Sequence, residues 1–162
     1  MLPFFMILLA FGLDRLSKWW AAAYLVEQGP TEIHPFLTLY PVYNRGIAFG
    51  VAQGIGLIVG WLSVGVVFAL LIYLARLPRS MSLMRMGLAL LIGGALGNLV
   101  DRITAGQVLD FIATPLRPGV FNFADVMIYA GIFLAVAGAI FQRADKTVAV
   151  ETAEAEELPP IS

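Results

Sequence analysis

The stretch GIGLIVGWLSVGVVFALLIYLA, residues 54–75, carries no charged side chain over 22 positions. As a helix it extends about 33 Å, enough to cross a hydrocarbon core of about 30 Å. Two more runs of this kind follow. MGLALLIGGALGNLVDRITA at 86–105 holds its charges, Asp101 and Arg102, near its end; FADVMIYAGIFLAVAGAIF at 123–141 holds Asp125 near its start and stops just before Arg143 and Lys146. Gly93, Gly94, Ala95 and Gly97 predict close helix packing in the first of these. At the front of the chain, residues 2–25 begin with twelve apolar positions and then meet Asp14, Arg15 and Lys18. A cleaved signal peptide is the alternative there, with Ala21-Ala22-Ala23 imitating a cleavage site. The missing basic start and the interfacial Trp19, Trp20 and Tyr24 favour a retained span.

The whole composition agrees with this reading. Of 162 residues, 60% are hydrophobic and the mean hydropathy is +0.87, against roughly 45 to 50% apolar content in soluble domains. The expectation is an α-helical integral membrane protein with four transmembrane helices. Residues 1–143 form one membrane domain, and the acidic stretch 144–162 is a disordered cytoplasmic tail. Arg76, Arg79 and Arg85 make the loop at 76–85 the cytoplasmic one, which places both termini inside.

Chemistry has few residues to draw on. There is no cysteine and a single histidine, His34, which removes disulfides and thiol nucleophiles and makes a Ser-His-Asp triad or a His-rich metal site improbable. A net charge of −1 gives no electrostatic case for nucleic-acid binding. What remains is acids at a membrane edge, where each charge costs at least about 2.5 kcal/mol on insertion scales unless it faces a partner, a cavity or a substrate. Counted back from Arg143, Asp125 lies about 27 Å along its helix; Arg85 to Asp101 is about 24 Å, so Asp110 falls near or beyond the same outer boundary. Gly106 supplies a helix stop and a turn back. Asp110 and Asp125 can therefore meet at the outer surface and share one proton.

The surrounding polar residues admit more than one reading. Asp14 and Lys18, four apart, predict an ion pair on one helix face. Asn98 and Arg102 have the same spacing, with Arg102 free to engage a carbonyl, to pair with Asp101 or to reach the interface. Asn122 is a candidate helix cap or a support for Asp125. Between the first two spans, IHPFLTLYPVYNRGIAFGV suggests short strands lying on the membrane, within which Asn44 and Gly46 form either a turn or a place where another backbone approaches. Two other classes stay open on residues alone: a proton- or ion-coupled transporter, and a purely structural membrane subunit.

Taken together, DRLSK at 14–18, NRGIAFG at 44–50, GGALGNLVDR at 93–102, VLDF at 108–111 and FNFAD at 121–125 resemble, in order, the motifs of lipoprotein signal peptidase, the type II signal peptidase family of bacteria. The resemblance implies an intramembrane aspartic endopeptidase of the inner membrane, with Asp110 and Asp125 as its catalytic dyad near the outer leaflet. It places Asn44, Gly46, Asn98, Arg102 and Asn122 at substrate-binding or dyad-supporting positions, and Asp14, Lys18, Asp101 and Ala124 as structural support. It implies a small extracytoplasmic β-cradle at about 27–53. The implied substrates are prolipoproteins carrying a diacylglyceryl group, cut just before the lipidated cysteine by water that the dyad activates. No cofactor or metal is implied, nor any nucleic acid; membrane lipid is the surrounding partner and a monomer is the expected form. Residues 112–120 carry no recognised signature and read as a loop.

Overall fold

The computed structural model describes residues 1–46 and 56–156, with side chains through Gln142. Residues 47–53 of the expected cradle, with the second half of NRGIAFG, lie outside the described residues.

The chain enters α1 (Leu2–Trp20) with Pro3 in its first turn, where the missing N–H costs nothing. The helix continues as a π-helical turn, Ala21–Leu25, and a short α2, Val26–Gln28, before Gly29 at φ 76° ends it. That wider turn rests Ala21 and Leu25 on Leu109 and Phe111. Strands β1 (Thr31–His34) and β2 (Leu37–Asn44) follow, then α3 (Gly56–Arg76) and α4 (Ser82–Ala105). Gly106, at φ 65°, closes α4 by donating its N–H to the Arg102 carbonyl, 3.0 Å away, as the sequence predicts. Then come β3 (Val108–Thr114), β4 (Arg117–Phe121) and α5 (Phe123–Glu156).

Three helical stretches among the described residues are long and apolar enough to cross a membrane: Leu57–Arg76, Ser82–Ala105 and Phe123–Gln142. α1 falls short because Asp14, Arg15 and Lys18 interrupt its 19 residues. α4 is the central post, packed against α1, α3 and α5. Half of its stretch is buried in protein, against 17% for α3 and α5. The outer faces present Trp61, Phe68, Phe133 and Phe141, an apolar extent that water does not tolerate and lipid does. Contact with α4 is close because its glycines carry no side chain. A Cβ on Gly93 would meet the Ile7 carbonyl at 2.7 Å, and one on Gly94 the Ala124 carbonyl at 2.5 Å.

The strands make one antiparallel sheet in the order β1-β2-β3-β4. Half of it comes from a segment that the sequence leaves as a loop: β3 and β4 form a hairpin pairing Ile112 with Phe121 and Ala113 with Val120. Pro41 lies where the β2–β3 register shifts, between Leu39 and Val42, the kind of irregularity that accommodates a residue without an N–H. Alternation along β3 aims Leu109 and Phe111 at the π-helical turn, and Val108 and Asp110 to the opposite face.

Of the stretch 144–162, expected as a disordered tail, residues 157–162 lie outside the described residues. Residues 144–156 continue α5, in keeping with their Ala, Glu and Lys content, all strong helix formers.

Candidate active site

α4 divides the polar residues into two groups. On the α1 side, Asp14, completely buried, accepts from Lys18 Nζ at 2.9 Å and from the Ala124 amide at 3.0 Å. Lys18 Nζ also lies 2.7 Å from Asp101 Oδ2, and Arg15 pairs with the other Asp101 oxygen. Two acids thus face two cations in a place where an unpaired charge is very costly. Gly97 makes room for this group, since any Cβ there would run into the Asp14 carboxylate.

On the α5 side the donors are carboxamides and a backbone amide. Asn122 caps α5: its Oδ1 accepts from the Asp125 amide at 3.1 Å, while Asp125 Oδ2 accepts from the Asn122 amide at 3.3 Å. This is a reciprocal capping box with an acid three residues after the cap, at the helix end that favours negative charge. The Asn122 side chain also donates from Nδ2 to Asp110 Oδ1 at 2.6 Å and to Asn98 Oδ1 at 3.1 Å. Asn44, at the end of β2, donates to Asp110 Oδ2 at 3.1 Å and accepts from the Gly46 amide at 3.0 Å, a tight local turn. Asn98 Nδ2 donates to Asp125 Oδ1 at 2.9 Å.

Obligate donors fix the direction of the Asn98 and Asn122 amides. Lys18 can only donate, so it claims Asn98 Oδ1 at 2.8 Å and turns Asn98 Nδ2 toward Asp125. The Asp125 backbone N–H in the same way claims Asn122 Oδ1 and turns that Nδ2 toward Asp110. All four oxygens of the two carboxylates consequently accept hydrogen bonds.

Asp110 and Asp125 line one small cavity of about 70 Å³, together with Asn44, Asn98, Arg102 and Asn122. That is space for a few water molecules. Arg102 Nη1 reaches the Asn98 carbonyl at 3.5 Å, and its Nε is buried without a hydrogen-bond acceptor among the described residues. Burial drives the Asp110 carboxyl up from 3.8 to about 6; the Asn44 hydrogen bond opposes this and the Asp125 charge adds to it. Asp101 is absent from the cavity lining and belongs with the cations of α1.

Two polar lining residues, Arg117 and Tyr129, are not anticipated by the sequence. Arg117 stacks over Phe121 and Tyr129, at 4.8 and 5.0 Å from the ring centroids, and donates to the Tyr129 hydroxyl at 3.3 Å. Tyr129 follows Asp125 by four, a spacing that puts both on one helix face; Arg117 had no such signal, because the hairpin alone carries it there. Among the described residues no three His, Cys, Asp or Glu side chains come together to hold a metal ion.

Comparison with known proteins gives a consistent picture. The sequence model for Signal peptidase (SPase) II matches residues 6–141. The lipoprotein signal peptidase of Anaplasma marginale (strain Florida) is 40% identical over 134 residues, covering 78% of this chain and 76% of that relative. That of Caldanaerobacter subterraneus subsp. tengcongensis is 41% identical over 124 residues, covering 75% and 84%. A bacterial membrane enzyme solved by the in meso method at 2.3 Å superposes with a TM-score of 0.77 at 25% identity, covering 89% of this chain and 90% of that one.

Proposed function

The chain belongs to the signal peptidase II family, a family of bacterial membrane peptidases that remove signal peptides from prolipoproteins, and from that premise we propose that it works as an intramembrane aspartic endopeptidase with Asp110 and Asp125 as its dyad. The observation that carries this reading is the convergence of the two carboxylates, from β3 and from the first turn of α5, on one cavity through the shared amide of Asn122.

One carboxylate, ionised, takes a proton from a water in the cavity as that water attacks the scissile carbonyl. Its partner, protonated, donates to the carbonyl oxygen. A dyad of this kind carries one proton between two acids, and its titrations belong to the pair. The raised Asp110 carboxyl, at about 6, brings proton exchange at the dyad closer to neutral pH than an ordinary carboxylate allows. Arg102, whose buried Nε has no acceptor among the described residues, holds a substrate carbonyl in this reading; Asn44, Asn98 and Asn122 hold the carboxylates.

The substrate of this reading is a prolipoprotein whose cysteine carries diacylglycerol, cut just before that residue. Its signal helix lies alongside α3–α5, while the scissile bond reaches the boundary where the helices give way to the sheet. In the same reading α1 is a fourth span, both termini are cytoplasmic, the protein sits in the inner membrane as a monomer, and the sheet covers the site on the outer side.

The test is processing of a diacylglyceryl-modified peptide in detergent by purified Asp110→Asn and Asp125→Asn chains. Both lose turnover while remaining folded; substantial activity in either one removes the dyad.

A further inference from the structure

At the other end of α4, about 20 Å from Asn98 along the helix, lies a second feature that the peptidase chemistry does not use. An open groove of about 480 Å³ is lined by Arg79, Ser82 and Arg85 as well as the start of α1, a volume in the range of small-molecule sites. It continues into an arm of about 260 Å³ between α1 and α3, walled by Ile7, Leu71 and Leu74; both compartments share Pro3 and Arg85. The mouth is thus cationic and the arm apolar.

Among the described residues the charge in the mouth is uncompensated. No Asp or Glu occurs between residues 54 and 100. Arg79 is exposed and makes no hydrogen bond or ion pair with a described residue. Arg85 gives only its Nη1, to the Leu74 and Leu77 carbonyls at 3.0 and 2.5 Å; this closes the end of α3 and fixes the guanidinium at the mouth. The site sits where the apolar stretch of α3 ends at Arg76, the level of lipid headgroups.

We propose that this groove binds one anionic diacyl phospholipid, its phosphate held by Arg79 and Arg85 and an acyl chain laid in the arm between α1 and α3. A soluble anion would satisfy the arginines and leave the arm empty; a zwitterionic lipid would fill the arm and carry a cationic group into a mouth that already holds two. Only an anionic lipid matches both compartments. Basic pockets between spanning helices recognise such headgroups on charge, each arginine contributing about fivefold in affinity.

Native mass spectrometry of the full chain, released from an equimolar mixture of phosphatidylglycerol and phosphatidylcholine, tests this. The expected result is one retained phosphatidylglycerol with at least about a fivefold preference. Arg79→Gln, at an exposed position with no bond to a described residue, lowers that preference by about fivefold. Ala75→Trp, which fills the arm, lowers retention of the full lipid without altering any charge, and glycerol phosphate does not displace it. Equal retention of the two lipids overturns the proposal, as does an unchanged preference in Arg79→Gln. Displacement by glycerol phosphate would make the mouth a soluble-anion site. Retention of phosphatidylglycerol only after removal of 144–162 would assign the mouth to the chain's own acidic end.

Discussion

Four aspartates lie around α4, and the structure treats them in two ways. Asp14 and Asp101 are matched by Lys18 and Arg15, whereas Asp110 and Asp125 receive three asparagine side chains and one backbone amide. Both groups have close polar partners, yet the physical consequences differ. A lysine or arginine holds an acid in its charged form, which suits a brace between helices. A neutral amide orients a carboxylate and leaves its proton exchangeable, which suits an acid that must change state. Asn98 joins the two groups, since the Lys18 ammonium decides which end of that amide faces Asp125.

The contrast can be broken most directly at the proposed dyad. Asp110→Asn or Asp125→Asn lowers kcat by at least about a thousandfold, the upper part of what general acid–base groups contribute, while Asp101→Asn leaves measurable turnover; equal losses in all three would erase the distinction. Next in size is Lys18→Met. Removing the shared cation leaves Asp14 and Asp101 under-compensated and costs about 3–5 kcal/mol, read as a fall in Tm in detergent. Addition of Asp14→Asn recovers part of it, and a single variant as stable as the native chain would show that the group is not held by charge.

The proton on Asp110 sharpens the comparison further. Its carboxyl is raised in the folded chain from 3.8 to about 6, so the native state binds the proton more tightly than the unfolded one. The associated stability is complete below about pH 4 and lost as pH rises through about 6, a swing of up to about 3 kcal/mol. The stability of Asp110→Asn relative to the native chain therefore climbs across that window and levels off above it; a flat difference would mean that burial does not set this proton. The smallest effect is steric. Gly97→Ala forces the Asp14 carboxylate aside and costs about 1–3 kcal/mol, with loss of Tm exceeding loss of kcat.

Much of the fold was legible because apolar length is written directly in the chain. Residues 54–75, 86–105 and 123–141 match α3, α4 and the apolar part of α5 within a few positions. Gly106 ends α4 as its type suggests, and the Asn122–Asp125 spacing signals the cap that forms. The β3–β4 hairpin was not legible, since Pro115, Pro118 and Gly119 read as loop and its pairing partner β2 is about seventy residues away. Arg117 owes its place at the cavity to that hairpin, and nothing adjacent in the chain announces it.

By itself, then, the sequence determined the apolar helices, the helix ends and the short-range pairs such as Asp14–Lys18, because these depend on composition and on spacings of three or four residues. The ordered motifs also pointed to the family. Only the tertiary structure decided the long-range partners, Asn44 to Asp110, Asn98 to Asp125 and Lys18 to Asp101, because each comes from a different element. Such distant pairings follow from how closely α1 and α5 settle on the glycines of α4 and how the sheet folds over them.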